Sequence, residues 1–238
     1  MKRNLEVVLS PALLPFYEIK NKTVVVIDIL RASSSICVAF NTGVKKIIPV
    51  STPEECRIFK DFDFLCAAER NAMKVEGFNL GNSPFEYQNP LLKERSIAFT
   101  TTNGTRAIKL SKEMNAAQIV IGAFLNLEYL CNWLKKQEHS VVLLCAGWKN
   151  MFSTEDTLFA GAVVENVKTT FDIDCDSSMM AEQFYIQSKI NLEQIVRQSS
   201  HARRLKSLNV SDEDLKFCLQ LNQFQLIPVM KGEYLEKM

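Results

Sequence analysis

The run Thr23-Val24-Val25-Val26-Ile27-Asp28-Ile29-Leu30-Arg31-Ala32-Ser33-Ser34-Ser35 decides how the rest of the chain is read. Four β-branched apolar residues in succession suit a strand that is apolar on both faces, as in a parallel sheet covered by helices. The strand ends on a carboxylate, and the serines open a helix. Working outward, short β-branched runs alternate with longer segments of helical period. This predicts strands at 5–9, 23–28, 46–50, 64–67, 96–100, 118–121 and 140–145, with a last one near 226–229. The segment 126–136 carries Leu127, Leu130, Cys131 and Leu134 on one face and reads as a helix packed on the core. From 153 to 206 the chain reads as almost wholly helical, with a break at 172–176 and a restart marked by Ser177 and Glu182. The expected fold class is α/β, a three-layer α/β/α domain over 1–238. It has a central largely parallel or mixed sheet and a long helical C-terminal segment that packs across one face or joins two copies of the chain as a homodimer.

At 238 residues and 47% apolar the chain can supply a full core. The formal charge is +1, from 28 basic and 27 acidic residues, so there is no basic field to collect nucleic acid. Arg203, Arg204 and Lys206 read as a solvated helix face. The seven cysteines are odd in number and contain no C-x-x-C pair, which argues against a disulfide framework or a zinc ribbon and fits a reducing compartment. Met1-Lys2-Arg3-Asn4-Leu5-Glu6 has no signal-peptide core, and no apolar run approaches the roughly 18 residues of a membrane span. A cytoplasmic protein without membrane partners is expected.

Polar segments fall where strands give way to helices, the edge at which open α/β sheets bind ligands. After the first strand quoted, Asp28 suits a cation and Arg31 a phosphate or carboxylate, and the N–H groups of the helix opened by Ser33 and Ser34 favour an anion. The plainer reading is that Asp28 and the serines cap that helix. Thr100-Thr101-Thr102-Asn103-Gly104-Thr105-Arg106 has the make-up of a phosphate cradle, small hydroxylic residues and a glycine that lets backbone N–H groups converge. It lacks the lysine and spacing of a Walker loop, and similar runs form ordinary turns. Gly77-Phe78-Asn79-Leu80-Gly81-Asn82-Ser83-Pro84 implies a tight loop followed by a helix with proline in its first turn. Glu69, just upstream, is either a metal-ligand or acid/base candidate or half of a surface salt bridge with Arg70. In the segment 146–156, Ser153 is a candidate N-cap, and Glu155 and Asp156 add two acids at the same edge. Hard oxygen donors beside anion-binding turns suit Mg²⁺.

Other chemistries lack their parts. With only His139 and His201, neither a zinc site built on histidines nor a Ser-His-Asp triad is expected, and His201 reads as a helix-surface residue. No cysteine has an arginine six residues on, and Asp28 has no second aspartate at position 30, so the cysteine-phosphatase and D-x-D patterns are absent.

Taken together, Asp28 to Ser35, Ala68-Glu69-Arg70, Gly77 to Pro84, Thr101 to Thr105, Ala146-Gly147 with Glu155-Asp156 and Ala160-Gly161, and the tail 200–228 resemble the 2-phosphosulfolactate phosphatase family. That family serves coenzyme M synthesis in methanogens and has many bacterial members. The resemblance covers nearly the whole chain in one order. It implies a three-layer α/β fold, a Mg²⁺ requirement and hydrolysis of the phosphate ester of a small sulfonated hydroxy acid. On this reading the catalytic set is Asp28, Arg31, Glu69 and Asp156, and Mg²⁺ is held by a subset of Asp28, Glu69, Glu155 and Asp156. The substrate contacts are Ser33, Ser34, Thr101, Thr102, Asn103, Gly104 and Thr105 for phosphate, and Asn82 and Ser83 for its carboxylate or sulfonate. The chain departs from the family at Asn71-Ala72, where two glycines are usual, and at Asn79, where an aspartate is usual. The alternatives are a phosphatase for another phosphorylated hydroxy acid, a binding protein that has lost hydrolysis, or a scaffold built on the helical stretch.

Overall fold

The computed structural model describes residues 3–238; Met1 and Lys2, on which part of the N-terminal reading falls, lie outside the described residues. Eleven strands form one sheet: β1 (Arg3–Val8), β2 (Thr23–Ile27), β3 (Lys46–Pro49), β4 (Leu65–Arg70), β5 (Met73–Lys74), β6 (Ser96–Thr100), β7 (Gln118–Gly122), β8 (Val141–Cys145), β9 (Phe171–Asp172), β10 (Pro228–Lys231) and β11 (Tyr234–Lys237). All eight strands read from the sequence are present. Every residue of β2 and of β8 is buried, as their unbroken apolar runs require. Helices cover the sheet: α1 (Ala32–Thr42), α2 (Pro53–Ile58), α3 (Gly104–Glu113), α4 (Leu127–Leu134), α5 (Thr154–Val167), α6 (Asp176–Ser188), α7 (Leu192–Arg197), α8 (Ser200–Ser207) and α9 (Asp212–Cys218). The architecture is the expected three-layer α/β fold with a mixed sheet and a long C-terminal helical segment.

The strand order is β5-β4-β6-β3-β11-β10-β7-β2-β8-β1-β9. It contains two parallel blocks, β4-β6-β3 and β7-β2-β8-β1-β9. The hairpin β10–β11 joins them, antiparallel within itself and to both neighbours, through Val229↔Val120 and Leu235↔Ile47. Three successive reversals mean that the two blocks run in opposite directions. The sequence showed only one strand of this hairpin. The second, after a turn at Gly232 with φ of 60°, is what joins the blocks.

This topology corrects the expectation of a single ligand-binding edge. In a flat sheet the C-terminal ends of β2 and β6 would lie on opposite edges, about 24 Å apart across four intervening strands. Yet Gly104, four residues past β6, sits against Asp28, the first residue past β2. The sheet therefore twists and curls through the hairpin, where each joint has one register pair. The carboxyl ends of the two blocks face each other instead of sharing an edge.

The helical stretch is broken by β9, which adds a parallel strand to β1. Helix α6 begins at Asp176, after Cys175, and its serines staple it to β1: Ser177 Oγ donates to Val7 O (2.6 Å) and Val7 N donates to Ser178 Oγ (2.9 Å). Helix α5 packs on α6 at Gly161, where a Cβ would collide with the Ala181 carbonyl. Much of the stretch thus serves intramolecular packing. The seven cysteines are free, and all but Cys175 are buried. Among the described residues, no helix is long and apolar enough to cross a membrane.

Candidate active site

Each functional side chain is set by the turn that follows its strand. Past β2, Asp28 N donates to Ser33 Oγ (2.8 Å), Ser33 N donates to Asp28 O (2.8 Å), Ser34 Oγ donates to Ile29 O (3.0 Å) and Ser35 Oγ donates to Asn82 O (2.9 Å). Ser33 and Ser34 are buried and do not line the pocket that Asp28 lines; their hydroxyls fold the turn where phosphate binding was expected of them. Gly104 has no room for a side chain, because a Cβ would stand 2.8 Å from Asp28 Oδ2 and 2.9 Å from Ala32 Cβ. The start of α3 is thereby pressed against Asp28.

Glu69, near the end of β4, faces the same pocket. Its Oε1 accepts from Ala72 N and its Oε2 from Thr102 Oγ1 at 3.5 Å. The salt bridge with Arg70 does not form: that guanidinium donates to the carbonyls of Glu69 (2.6 Å) and Ser51 (3.2 Å) and to Thr100 Oγ1 (3.0 Å). Asn71 and Ala72 have φ of 55° and 64°, the left-handed region where glycine is free. Asn71-Ala72 thus hold a backbone conformation that a pair of glycines adopts freely. Asn79, the other departure, lies away from the pocket, its Oδ1 accepting from Cys66 N (2.9 Å), a bond an aspartate makes equally well.

Arg31, only 6% exposed, also lines the pocket, but its guanidinium is tied down. Nη1 pairs with Asp214 of α9 and Nη2 donates to Ala72 O (3.1 Å), while Asp214 Oδ1 accepts from Ser83 Oγ (2.8 Å). Ser83 thus serves Asp214 and not the pocket; its neighbour Asn82 lines it, with a buried Oδ1 that finds no partner among the described residues. In the turn after β6, Thr101, Thr102 and Asn103 line the pocket, whereas Thr105 bonds back to Thr101 O (2.9 Å) and faces a neighbouring groove.

Glu155 and Asp156 stand behind this surface and do not line it. Ser153 caps α5, accepting from Asp156 N (3.3 Å), as the sequence implied. Asp156 Oδ1 accepts from Ile29 N (2.9 Å) and Oδ2 from Gly147 N (3.0 Å), so one carboxyl ties the turn after β2 to the turn after β8. Glu155 Oε1 pairs with His201 Nδ1 at 2.5 Å. His201 and Arg204 of α8, read from sequence as surface residues, both line the pocket, as do Trp148 and Lys149. These and Asp214 were missed because each lies at least 45 residues in sequence from the segment it completes, roughly beyond the reach of any local pattern. Asp214 lies in the matched tail, which was the one available signal.

Burial, reinforced by the Glu69 and Glu155 charges and opposed by His201 and the Ala32 N–H, pushes the Asp28 carboxyl up to about 6. Burial and the charges of Glu155 and Asp28 push Asp156 well above the carboxylate range, against the N–H groups of Ile29 and Gly147. Burial works against charge on Glu155 as well, yet its hydrogen bond to His201 and the imidazolium charge hold it below the ordinary value.

The sequence profile of the family described as 2-phosphosulpholactate phosphatase matches residues 8–233. A Caldanaerobacter subterraneus protein named probable 2-phosphosulfolactate phosphatase is 42% identical over 220 residues, 90% of each chain. A protein of Thermotoga maritima with the same name is 39% identical over 216 residues, 91% of this chain and 92% of the relative. One of Clostridium novyi, again so named, is 33% identical over 228 residues, 94% and 95% of the two chains.

Proposed function

The chain belongs to the 2-phosphosulfolactate phosphatase family, and we propose that it hydrolyses 2-phosphosulfolactate to sulfolactate and phosphate, with Mg²⁺ held at Asp28 and Glu69. The observation that carries this reading is the convergence of Asp28, Glu69 and the Thr101-Thr102-Asn103 turn on one pocket from two oppositely directed blocks of the sheet.

Among the described residues there is no group of three or more His, Cys, Asp or Glu arranged to hold a metal ion. Two carboxylates nevertheless suffice for Mg²⁺, which keeps several waters and takes oxygens from the substrate. The donor set fits. Asp28 and Glu69 repel each other across the pocket, a repulsion a cation removes, and the orphaned Asn82 Oδ1 adds a third oxygen. Mg²⁺ bound there supplies a Lewis acid that polarises a phosphoryl oxygen and makes a water more acidic.

The chain's own residues do the rest. The 101–103 turn brings backbone N–H groups and the Thr102 hydroxyl to the phosphoryl oxygens, and Arg31, fixed by Asp214 and Ala72 O, adds a cation that need not reorganise. His201, with Nδ1 held by Glu155, has Nε2 left to give a proton to the departing oxygen. Overall, a water oxygen forms the new bond to phosphorus, the ester P–O bond breaks, and the hydroxy acid leaves with its oxygen protonated. The departures that would favour a binding protein without hydrolysis carry no weight for that reading, since Asn79 lies outside the pocket and Asn71-Ala72 keep the glycine-type turn.

The test is phosphate release from 2-phosphosulfolactate with Mg²⁺ and with EDTA. Release that stops in the chelator and returns with excess Mg²⁺ is expected. Full turnover in EDTA removes the metal role, and no release under any condition removes the substrate.

A further inference from the structure

One feature of the pocket wall has no part in the chemistry above. After β8 the chain makes a two-residue turn at Lys149 and Asn150, with φ of 50° and 66°, closed by Trp148 N to Met151 O (3.2 Å) and Met151 N to Trp148 O (2.9 Å). The turn is pinned from both sides, by Lys149 N donating to Asn103 Oδ1 (3.2 Å) and Arg106 Nη1 donating to Asn150 Oδ1 (2.8 Å). It is thus built onto the same 101–103 turn that faces the phosphate, and it presents Trp148 as a fixed plate at the pocket wall.

Two cations lie on that plate. Arg204 Cζ is 4.4 Å and Lys149 Nζ 4.9 Å from the Trp148 ring centroid, and both residues line the pocket. Arg204 forms no ion pair or side-chain hydrogen bond among the described residues, and its Nε is buried without a partner. Other arginines that pack against neighbouring segments are matched: Arg197 pairs with Glu193 and Asp212, Arg31 with Asp214, and Arg106 with Asn150. Stacking on an aromatic face leaves the edge of the guanidinium, with its fork of N–H donors, open to a planar or tetrahedral oxyanion.

Charge counting points the same way. The acids of the pocket and a divalent cation balance each other, and Arg31 is balanced by Asp214. What remains facing the pocket is the positive charge of Arg204 and Lys149, with no carboxylate bonded to either.

We propose that the Trp148–Arg204 stack, helped by Lys149, is the binding site for the acid groups of the substrate that are not transferred, a sulfonate or a carboxylate, with Arg204 the specificity-determining residue. The identity of that ligand rests on the phosphatase reading above. The pocket is then divided, with the acidic floor and the 101–103 turn taking the phosphoryl group and the cationic plate taking the remainder of the molecule.

The experiment compares wild type and Arg204→Met on three esters of one carbon skeleton: 2-phosphosulfolactate, 2-phosphoglycerate, in which a hydroxyl replaces the sulfonate, and glycerol 2-phosphate, in which hydroxyls replace both acids. Wild type is expected to favour the first over the last, and Arg204→Met to shrink that preference in kcat/KM by about 10–100-fold, mostly through KM, the range for a lost hydrogen-bonded charge contact. A cost confined to 2-phosphosulfolactate assigns the sulfonate to Arg204, and an equal cost on 2-phosphoglycerate assigns the carboxylate. A preference unchanged within about twofold overturns the proposal. Calorimetry with sulfolactate, which has both acids and no phosphate, keeps the two readings separable: weaker binding by Arg204→Met supports the site even if wild type releases no phosphate. Equal affinity of the two proteins rejects the site even if hydrolysis is brisk. Arg204→Lys, which keeps the charge and loses the fork, is expected to fall between them.

Discussion

Asp28 and Glu69 form one pair of acids and Glu155 and Asp156 another; both pairs gather where the ends of the sheet blocks meet, and all four are buried. Their surroundings differ. Asp28 and Glu69 line the pocket, whereas Asp156 and Glu155 lie behind it, Asp156 accepting a backbone N–H on each oxygen and Glu155 pairing with His201. The front pair suits a cation and an incoming phosphate. The back pair holds two turns and an imidazole in place. Equal residue type and similar burial therefore do not give equal roles; access to the pocket separates a ligand from a strut.

Four changes test that contrast, from large effect to small. Asp28→Asn is expected to lower turnover by on the order of 10²–10³-fold, with a thermal midpoint equal to or above wild type in metal-free buffer. Burial and the Glu69 charge already disfavour the ionised Asp28 carboxyl there. Midpoint and phosphate release measured on one preparation check both halves. Asp156→Ala is expected to do the reverse, losing about 3 kcal/mol of stability because two buried N–H groups lose their acceptor, and lowering the midpoint by roughly 6–12 °C while activity at 20 °C below the transition falls far less than for Asp28→Asn. An Asp156→Ala protein as stable as wild type contradicts the strut.

The third test uses pH. Glu155 sits below its ordinary value in the fold, so its stabilising contribution is present above the unfolded value of 4.5 and is lost as pH falls through the lower, folded value. Wild type is therefore expected to lose stability on acidification below about pH 4.5 more steeply than Glu155→Gln, as read by urea midpoints across that range. Parallel acid limbs refute the assignment. The smallest effect belongs to Ala72→Gly: relief of a left-handed alanine is expected to stabilise by about 1 kcal/mol or less, visible as a small rise in the denaturation midpoint.

The sequence made the strands legible because unbroken runs such as Val24 to Ile27 have no other comfortable home, and it made Asp28, Glu69 and residues 101–103 legible because each stands at the end of its strand or just past it. It did not show that the two parallel blocks oppose each other. That depends on Tyr234–Lys237 closing a hairpin with Pro228–Lys231, and the only local mark is the turn at Gly232. Strands of two residues, β5 and β9, carry no period to read. Arg31 and Ser83 were recognised as polar residues of the site, but their partner Asp214 is a long-range fact. Arg204 reads as one of a solvated cationic face with Arg203 and Lys206, and His201 as a helix-surface residue; that these two turn inward is set by Trp148 and Glu155, far away in sequence.

The most direct measurement locates Mn²⁺, a spectroscopically and crystallographically visible substitute for Mg²⁺, by anomalous scattering in crystals of the protein. A peak bonded by Asp28 and Glu69 in the pocket faced by residues 101–103 is the predicted result. A peak at Glu155 and Asp156 instead, or a pocket that stays empty at saturating Mn²⁺, contradicts the account.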